Sequence, residues 1–357
     1  MVHFMAGRQK RKKHTGIIIG FTAFILLMIA GMVSYRFYDD IYGANLSITG
    51  EEALFLYIPT NSTFDDVCSR LEEVGLYDTE SFRWVAGKMN YPAKLKPGRY
   101  RLTDGMSNIE LVRMLRSGRQ IPVKVTFNNI RLNTQLAGAV TPTIEADSAG
   151  IMALLTDSAY LAERFNLTPQ TVLSLCIPNT YELFWNTSSK GFLDRMEKEH
   201  ERFWTESRRQ KAREANLTLL QVSTLASIIE EETQMDSEKP IMAGVYINRL
   251  SKSIPLQADP TIKYAAGDFT IRRILNRHKE IQSPYNTYLH AGLPPGPICI
   301  PSITSIDAVL NYSKHDYLFF CAKEDFSGYH NFARTLQQHS RNAQAYQSAL
   351  NRRRIYN

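Results

Sequence analysis

The chain has 357 residues, 44% of them hydrophobic and 22% charged, enough apolar content to bury a sizeable core and too much for a disordered tail. Its formal charge is +7, but Arg8, Lys10, Arg11, Lys12 and Lys13 supply most of it from an N-terminal stretch without acids. A nucleic-acid binder would carry its excess on the folded part, so no nucleic-acid partner is expected, although Arg352, Arg353 and Arg354 form a second basic cluster.

From Thr15 to Tyr35 no residue is charged, and at about 1.5 Å per residue this run matches a bilayer's hydrocarbon thickness of about 30 Å. The basic cluster before it predicts a cytoplasmic N-terminus and an exported remainder. A cleavable signal peptide is the competing reading. The run exceeds a usual signal-peptide core, and no small-x-small cleavage site follows, which favours an uncleaved single-pass anchor in the cytoplasmic (inner) membrane. The expected order is a cytoplasmic tail at 1–14, a transmembrane helix at 15–35 and a juxtamembrane linker at 36–50. Gly16 and Gly20 leave association of the anchor with other helices open.

Residues 51–121 read as a small module. Leu54–Ile58 has strand composition, and Pro59–Thr63 starts a helix with Phe64, Val67, Cys68 and Leu71 on one face that Gly75 stops. A second helix is predicted over Ser81–Met89 and a strand around Pro97–Arg101. Asn108 then caps a helix carrying Leu111, Val112 and Leu115 that ends at Gly118. The plainer reading of this module is a spacer between the membrane and the larger domain.

Residues 122–357 form the larger domain, opening on a strand at Pro122–Phe127. Its first half is helical and polar, with Trp204 and a charged stretch from Asp194 to Arg213 expected as a solvated face. From Ala258 to Pro301 turn-forming residues and short polar-aromatic clusters dominate, which predicts ordered binding loops on a scaffold. Tyr317–Ala322 reads as a buried strand, followed by a turn at Ser327–Gly328 and then His330. The four cysteines, Cys68, Cys176, Cys299 and Cys321, lack metal-ligand spacing, and the apolar neighbours of the last three predict buried thiols rather than a disulfide. His278, His290, His315, His330 and His339 show no ligand spacing either, so no metal and no cofactor are expected.

The chemistry-bearing candidate is Glu232. If Thr224–Glu232 is helical, its apolar stripe runs through Val222, Leu225, Ala226 and Ile229 and next reaches Glu232, while Glu230 and Glu231 point elsewhere. A carboxyl on a packed face loses hydration, its pKa rises, and it can donate a proton near neutral pH. The plainer alternatives are a frayed helix end or an ion pair with Arg249.

Several ordered stretches together resemble a known family, the MltG or YceG-like endolytic murein transglycosylases. They are Leu225–Thr233 (LASIIEEET), Ala243–Leu250 (AGVYINRL), Leu256–Thr261 (LQADPT), Tyr285–Tyr288 (YNTY), Gly292–Ile298 (GLPPGPI), Tyr317–Ala322, and His330 with Phe332. The small module resembles that family's LysM-like subdomain through Pro97–Tyr100 (PGRY). The resemblance implies an α+β protein: one transmembrane helix, a small LysM-like α/β subdomain, and a larger mixed α+β YceG-like catalytic domain.

It also implies a lyase of cell-wall biogenesis that cuts nascent peptidoglycan glycan strands internally, with peptidoglycan synthases as membrane partners. The catalytic acid it implies is the Glu before Thr233, namely Glu232. A basic residue is common in the family where Glu231 stands, so the run of three acids leaves Glu230 open as the alternative. An aromatic-Pro-Asp-Thr pattern of the family reads Ile177, Pro178, Asn179 and Thr180 here. The implied substrate-binding residues are Gln257, Asp259, Thr261, Tyr285, Asn286, Thr287, Tyr288 and His330; Asp259 could equally cap a helix, and the tyrosines could be core residues. A hydrolase would need a second carboxylate, for which Asp259 is the candidate. A non-catalytic glycan-binding scaffold is the remaining alternative.

Overall fold

The computed structural model describes residues 6–48 and 54–353, with side chains from residue 17 onward. The side chains of the basic cluster Arg8–Lys13, positions 49–53 at the expected linker–module junction, and Arg354 lie outside that description. The contacts divide the chain into two units, one running to Pro122 and including Phe184–Asn186, the other comprising Val123–Leu183 and the chain from Thr187.

The first unit begins with a long helix α1 (Ala6–Tyr42), whose stretch Ile17–Tyr42 is long and apolar enough to cross a membrane. The helix does not stop at residue 35. Residues 36–42, expected as the start of a linker, continue it without a break. Ala44 and Leu46 then bridge to Ser107 and Leu76, and Leu46 is buried in the module's core. The linker expectation fails because Ile41 and Leu46 gain more from packing on that core than a free segment would keep in chain entropy.

The module itself is strand, helix, helix, strand, helix: β1 (Leu54–Ile58), α2 (Phe64–Glu73), α3 (Thr79–Lys88), β2 (Gly98–Leu102) and α4 (Asn108–Ser117). β1 and β2 pair antiparallel, Leu54 opposite Leu102 and Ile58 opposite Gly98. Alternation buries Leu56, Ile58, Tyr100 and Leu102 against the apolar faces of the helices. Thr63 and Ser107 start α2 and α4 with capping boxes, and Gly118 ends α4 in the left-handed conformation.

In the second unit β3 (Val123–Phe127) pairs antiparallel with β4 (Asn179–Leu183), with α5 (Asn133–Val140), α6 (Ser148–Thr156) and α7 (Ser158–Phe165) between them in sequence. α8 (Ser189–Phe203) and α9 (Glu206–Glu214) follow, and the expected solvated face is only partial. α8 buries Phe192, Leu193 and Met196, and Trp204 lies in the core with Val222 and Ile229.

The centre of this unit is α10 (Leu219–Glu232), packed on α11 (Lys239–Ser251), α12 (Asp259–Ala266) and α14 (Ile303–Leu310). Every residue from Val222 to Ile229 is buried, so α10 is enclosed over these two turns rather than striped. α11 approaches its neighbours closely at Gly244, where a Cβ would lie 2.3 Å from the Ser313 carbonyl oxygen. The region after Ala258 contains α12 and the short α13 (Asn276–Lys279), more helix than its turn-rich composition suggested. β5 (Phe319–Ala322) pairs antiparallel with β6 (His330–Ala333), and α15 (Leu336–Arg352) packs on both.

β5 was expected to be buried, but all four of its residues are half-exposed, because this two-stranded sheet borders a cleft. Cys321 is accordingly only partly buried, while Cys68, Cys176 and Cys299 are buried, and all four are free thiols. Cys68 is buried although Ser69 and Arg70 follow it, because its place beside Val67 and Leu71 on the inner face of α2 decides the matter.

Candidate active site

α10 ends on three consecutive glutamates, and the structure gives each a different environment. Glu230 accepts hydrogen bonds from the hydroxyls of Ser302 and Ser305 and lies 3.4 Å from the Lys239 ammonium. Burial alone would raise its pKa, but those hydrogen bonds and Lys239 outweigh it, and the pKa falls below the ordinary value. Glu231 is held by both oxygens at 2.8 Å from the Arg131 guanidinium. Neither acid lines the cleft that Glu232 lines.

Glu232 is the last residue of α10; Thr233 turns extended and exits. Its carboxyl faces a cleft of about 290 Å³ lined also by Tyr246, Arg249, Gln257, Asp259, Tyr288, Leu318, Phe319, Phe320 and His339. Residue by residue its exposure is intermediate, but the carboxyl end is recessed. Burial drives its pKa up to about 7; a hydrogen bond from the Tyr246 hydroxyl opposes that, the nearby Asp259 charge adds to it, and Lys263 subtracts. The carbonyl ends of α10 favour the raised value, since a helix C-terminus disfavours an anion.

Tyr246, from α11, is buried, and its hydroxyl donates to Glu232 Oε1 at 2.7 Å. Burial and the adjacent carboxyl raise the phenol's pKa well above 10, so it acts only as a neutral donor. Arg249, one turn along the same helix, does not pair with Glu232. Its guanidinium donates to the carbonyls of Leu318, Pro255 and Leu256, and at 3.4 Å to Gln257 Oε1. It thereby ties the cleft's strand wall to the loop before α12, and it stacks over Phe319.

The stretches LQADPT and YNTY meet in space, and within them the work divides. Gln257 has φ of 51°, a left-handed conformation unusual for a side-chain-bearing residue. It is held there by its N–H donating to the Thr287 carbonyl. The Thr287 hydroxyl accepts from the Ala258 N–H and bonds the Thr261 hydroxyl, which also donates to the Ala258 carbonyl. Asp259 is the first residue of α12 and does not cap it. Its Oδ1 instead accepts from the Tyr288 hydroxyl at 2.6 Å inside the cleft.

Of the nine residues singled out in the sequence, the structure therefore brings Glu232, Gln257, Asp259 and Tyr288 to one cleft. Thr261 and Thr287 are buried and spend their hydroxyls on each other and on backbone. Tyr285 packs on Tyr264 in the core, ring centroids 4.6 Å apart. Asn286 is buried, donating to the carbonyls of Lys279 and Ile281 and accepting from the Tyr288 N–H. His330 does not line the cleft. Its ring and N–H bond Glu238, and its edge contacts Phe320, which does line it.

Asn286→Ala would remove the partner of two part-buried carbonyls and one N–H, and is expected to lower stability by about 1–3 kcal/mol. A thermal unfolding midpoint checks this. Sequence reasoning missed Tyr246, Arg249 as a cleft residue, Phe319, Phe320 and His339. The first two lie in the AGVYINRL stretch, four and seven residues after Met242 on the buried face of α11. The rest are set by β5 and α15, whose approach to α10 no local pattern encodes.

The profile of the YceG-like family matches residues 56–345. The chain belongs to the YceG-like family. An endolytic murein transglycosylase of Bacillus subtilis (strain 168) is 29% identical over 309 residues, covering 82% of this chain and 85% of that protein. One from Streptococcus pneumoniae (strain D39) is 27% identical; the match covers 94% of this chain and 66% of the longer relative. Among solved structures, a yceG-like protein from Listeria monocytogenes superposes with a TM-score of 0.54 at 26% identity, over 82% of this chain and 99% of that one. The family match spans both units of the YceG-like fold described above, including the cleft around Glu232.

Proposed function

We propose that this protein is an endolytic peptidoglycan lytic transglycosylase with Glu232 as its single general acid/base. The observation that carries the reading is a carboxyl with a pKa near 7, hydrogen-bonded by a neutral tyrosine, on the wall of an open polar-aromatic cleft. The family membership and the named activity of the relatives support it.

The chemistry needs one such group. Protonated Glu232 gives its proton to the oxygen of the β-1,4 bond between N-acetylmuramic acid and N-acetylglucosamine as the C1–O bond breaks. The carboxylate then takes the proton of the muramoyl C6 hydroxyl as that oxygen bonds to C1. The product is a 1,6-anhydro end, no water is consumed, and Glu232 is returned protonated. Gln257, Asp259 and Tyr288 present polar groups to the sugar, and the faces of Phe319 and Phe320 suit the apolar sides of pyranose rings. On nascent strands such a cut ends elongation.

α1 anchors the protein in the cytoplasmic membrane with the N-terminus inside and both folded units outside, a reading supported by the charge asymmetry around the apolar run. The β1-α2-α3-β2 order of the small module supports a LysM-like assignment. Peptidoglycan synthases are the partners that a strand-terminating enzyme in this membrane would work beside.

Mass spectrometry of peptidoglycan treated with the purified chain tests the activity: anhydro-muramoyl ends are expected, and reducing ends would replace this reading with a hydrolase. Asp259→Asn separates the two as well. It leaves the Tyr288 hydroxyl a neutral amide oxygen in place of a carboxylate and is expected to slow anhydro-product formation by about tenfold, the worth of the lost charge assistance; complete loss would mark Asp259 as a second catalytic carboxylate.

A further inference from the structure

The end of α1 fixes the depth of the small module relative to a membrane. The uncharged run closes at Tyr35 and Arg36 is the first charge, so a helix that spans the bilayer leaves the hydrocarbon there. α1 then continues unbroken to Tyr42, and its last turns are fastened to the module. Asn108 at the start of α4 donates to the Asp40 carbonyl at 2.8 Å, and Ile41 packs on the module's core.

On α3, Trp84 packs against Phe37, ring centroids 5.5 Å apart, and Lys88 lies over the Trp84 ring. Phe37 is two residues past Tyr35, about 3 Å along the helix axis. The polar headgroup layer adds about 5–7 Å on each side of the hydrocarbon. Trp84 therefore sits at headgroup depth whenever α1 spans the membrane. It is 39% exposed, and the last turns of α1 also carry the exposed rings of Tyr38 and Tyr42; Trp and Tyr favour this layer because one end of the ring is apolar and the other wet.

We propose that the Trp84–Lys88 face of α3 is a second membrane contact, seated in the phospholipid headgroup layer beside the exit of α1, with Lys88 directed to lipid phosphate. The module is then a surface-lying element rather than a spacer. The inference rests on the reading that α1 crosses the bilayer, and the occupant it commits to is phospholipid because the spanning helix holds α3 at its exit, through Phe37 on Trp84 and the Asp40 carbonyl on Asn108.

The full chain reconstituted into phosphatidylcholine–phosphatidylglycerol vesicles with brominated acyl chains provides the test. The tryptophan signal that Trp84→Phe removes, obtained as the difference between the two proteins, is expected to be quenched more strongly by bromines near the headgroup than by bromines near the chain end. Phe keeps a ring against Phe37, and matching unfolding midpoints for the two proteins verify the fold. Alkaline carbonate washing reports α1 separately. A chain retained after washing whose Trp84 signal no brominated lipid quenches overturns the proposal alone; a chain that washes off overturns the membrane-spanning reading and the proposal with it.

Discussion

Glu232→Gln is expected to lower anhydro-product formation by about 10³-fold or more, since the amide can neither give the proton nor take it back and general acid–base catalysis contributes about 10²–10⁴-fold on its own. The wild-type pH profile should carry the signature of the same group. The reaction begins with Glu232 protonated, so kcat/KM is expected to be flat below about pH 7 and to fall by about tenfold per pH unit above it.

The same group makes stability pH-dependent in the enzyme and contributes no such dependence in the variant. Between the ordinary carboxyl pKa of 4.5 and about 7, the folded protein holds a proton that the unfolded chain has released, so stability falls as pH rises through that window. Gln carries no charge to desolvate. Glu232→Gln should therefore be more stable than wild type above pH 7, by at most about 3 kcal/mol, and indistinguishable near pH 4. Unfolding midpoints of the two proteins across that range check it; equal midpoints at high pH would mean the carboxyl is solvated and not poised as an acid.

Tyr246→Phe is the second large effect. The Tyr246 hydroxyl donates to Glu232 Oε1 from a buried position, and a hydrogen bond to a charged group is worth about 1.5–3 kcal/mol. The bond favours the carboxylate, so its loss is expected to raise the pKa of Glu232 by about 1–2 units. The alkaline limb of the pH–rate profile should move up by that amount. The maximal rate should fall, because the carboxylate that must deprotonate the C6 hydroxyl is less well stabilised. A purely structural role for Tyr246 would lower the unfolding midpoint and leave the limb where it was.

Much of this site was legible in the sequence, for reasons that differ by residue. Glu232 was singled out by helical spacing and by the residue that follows it. Because α10 is buried all round from Val222 to Ile229, however, the stripe by itself could not separate three adjacent acids. What separates them is Ser302, Ser305 and Lys239 around Glu230, and Arg131 on Glu231. Those partners come from as far as the loop before α5 and the start of α14. The family resemblance implies Thr261, Asn286 and Thr287 as ligands for sugar, yet their polar atoms make hydrogen bonds that hold Gln257 and Tyr288 in place. A short polar motif looks the same whether its side chains face a cleft or brace the loop that does.

The sequence by itself determined the elements whose causes are local. An uncharged run marks an apolar helix, capping residues and glycines start and stop α2 and α4, and strand-favouring composition makes β1 and β3 strands. The tertiary structure alone decided which of the three carboxyls has no ion-pair partner among the described residues, that Tyr246 rather than Arg249 touches it, that β5 forms a wall instead of a core strand, and that α1 runs on into the small module. Each of these depends on groups far apart in the chain, and desolvation and hydrogen bonding act through space, where a reading along the chain cannot follow them.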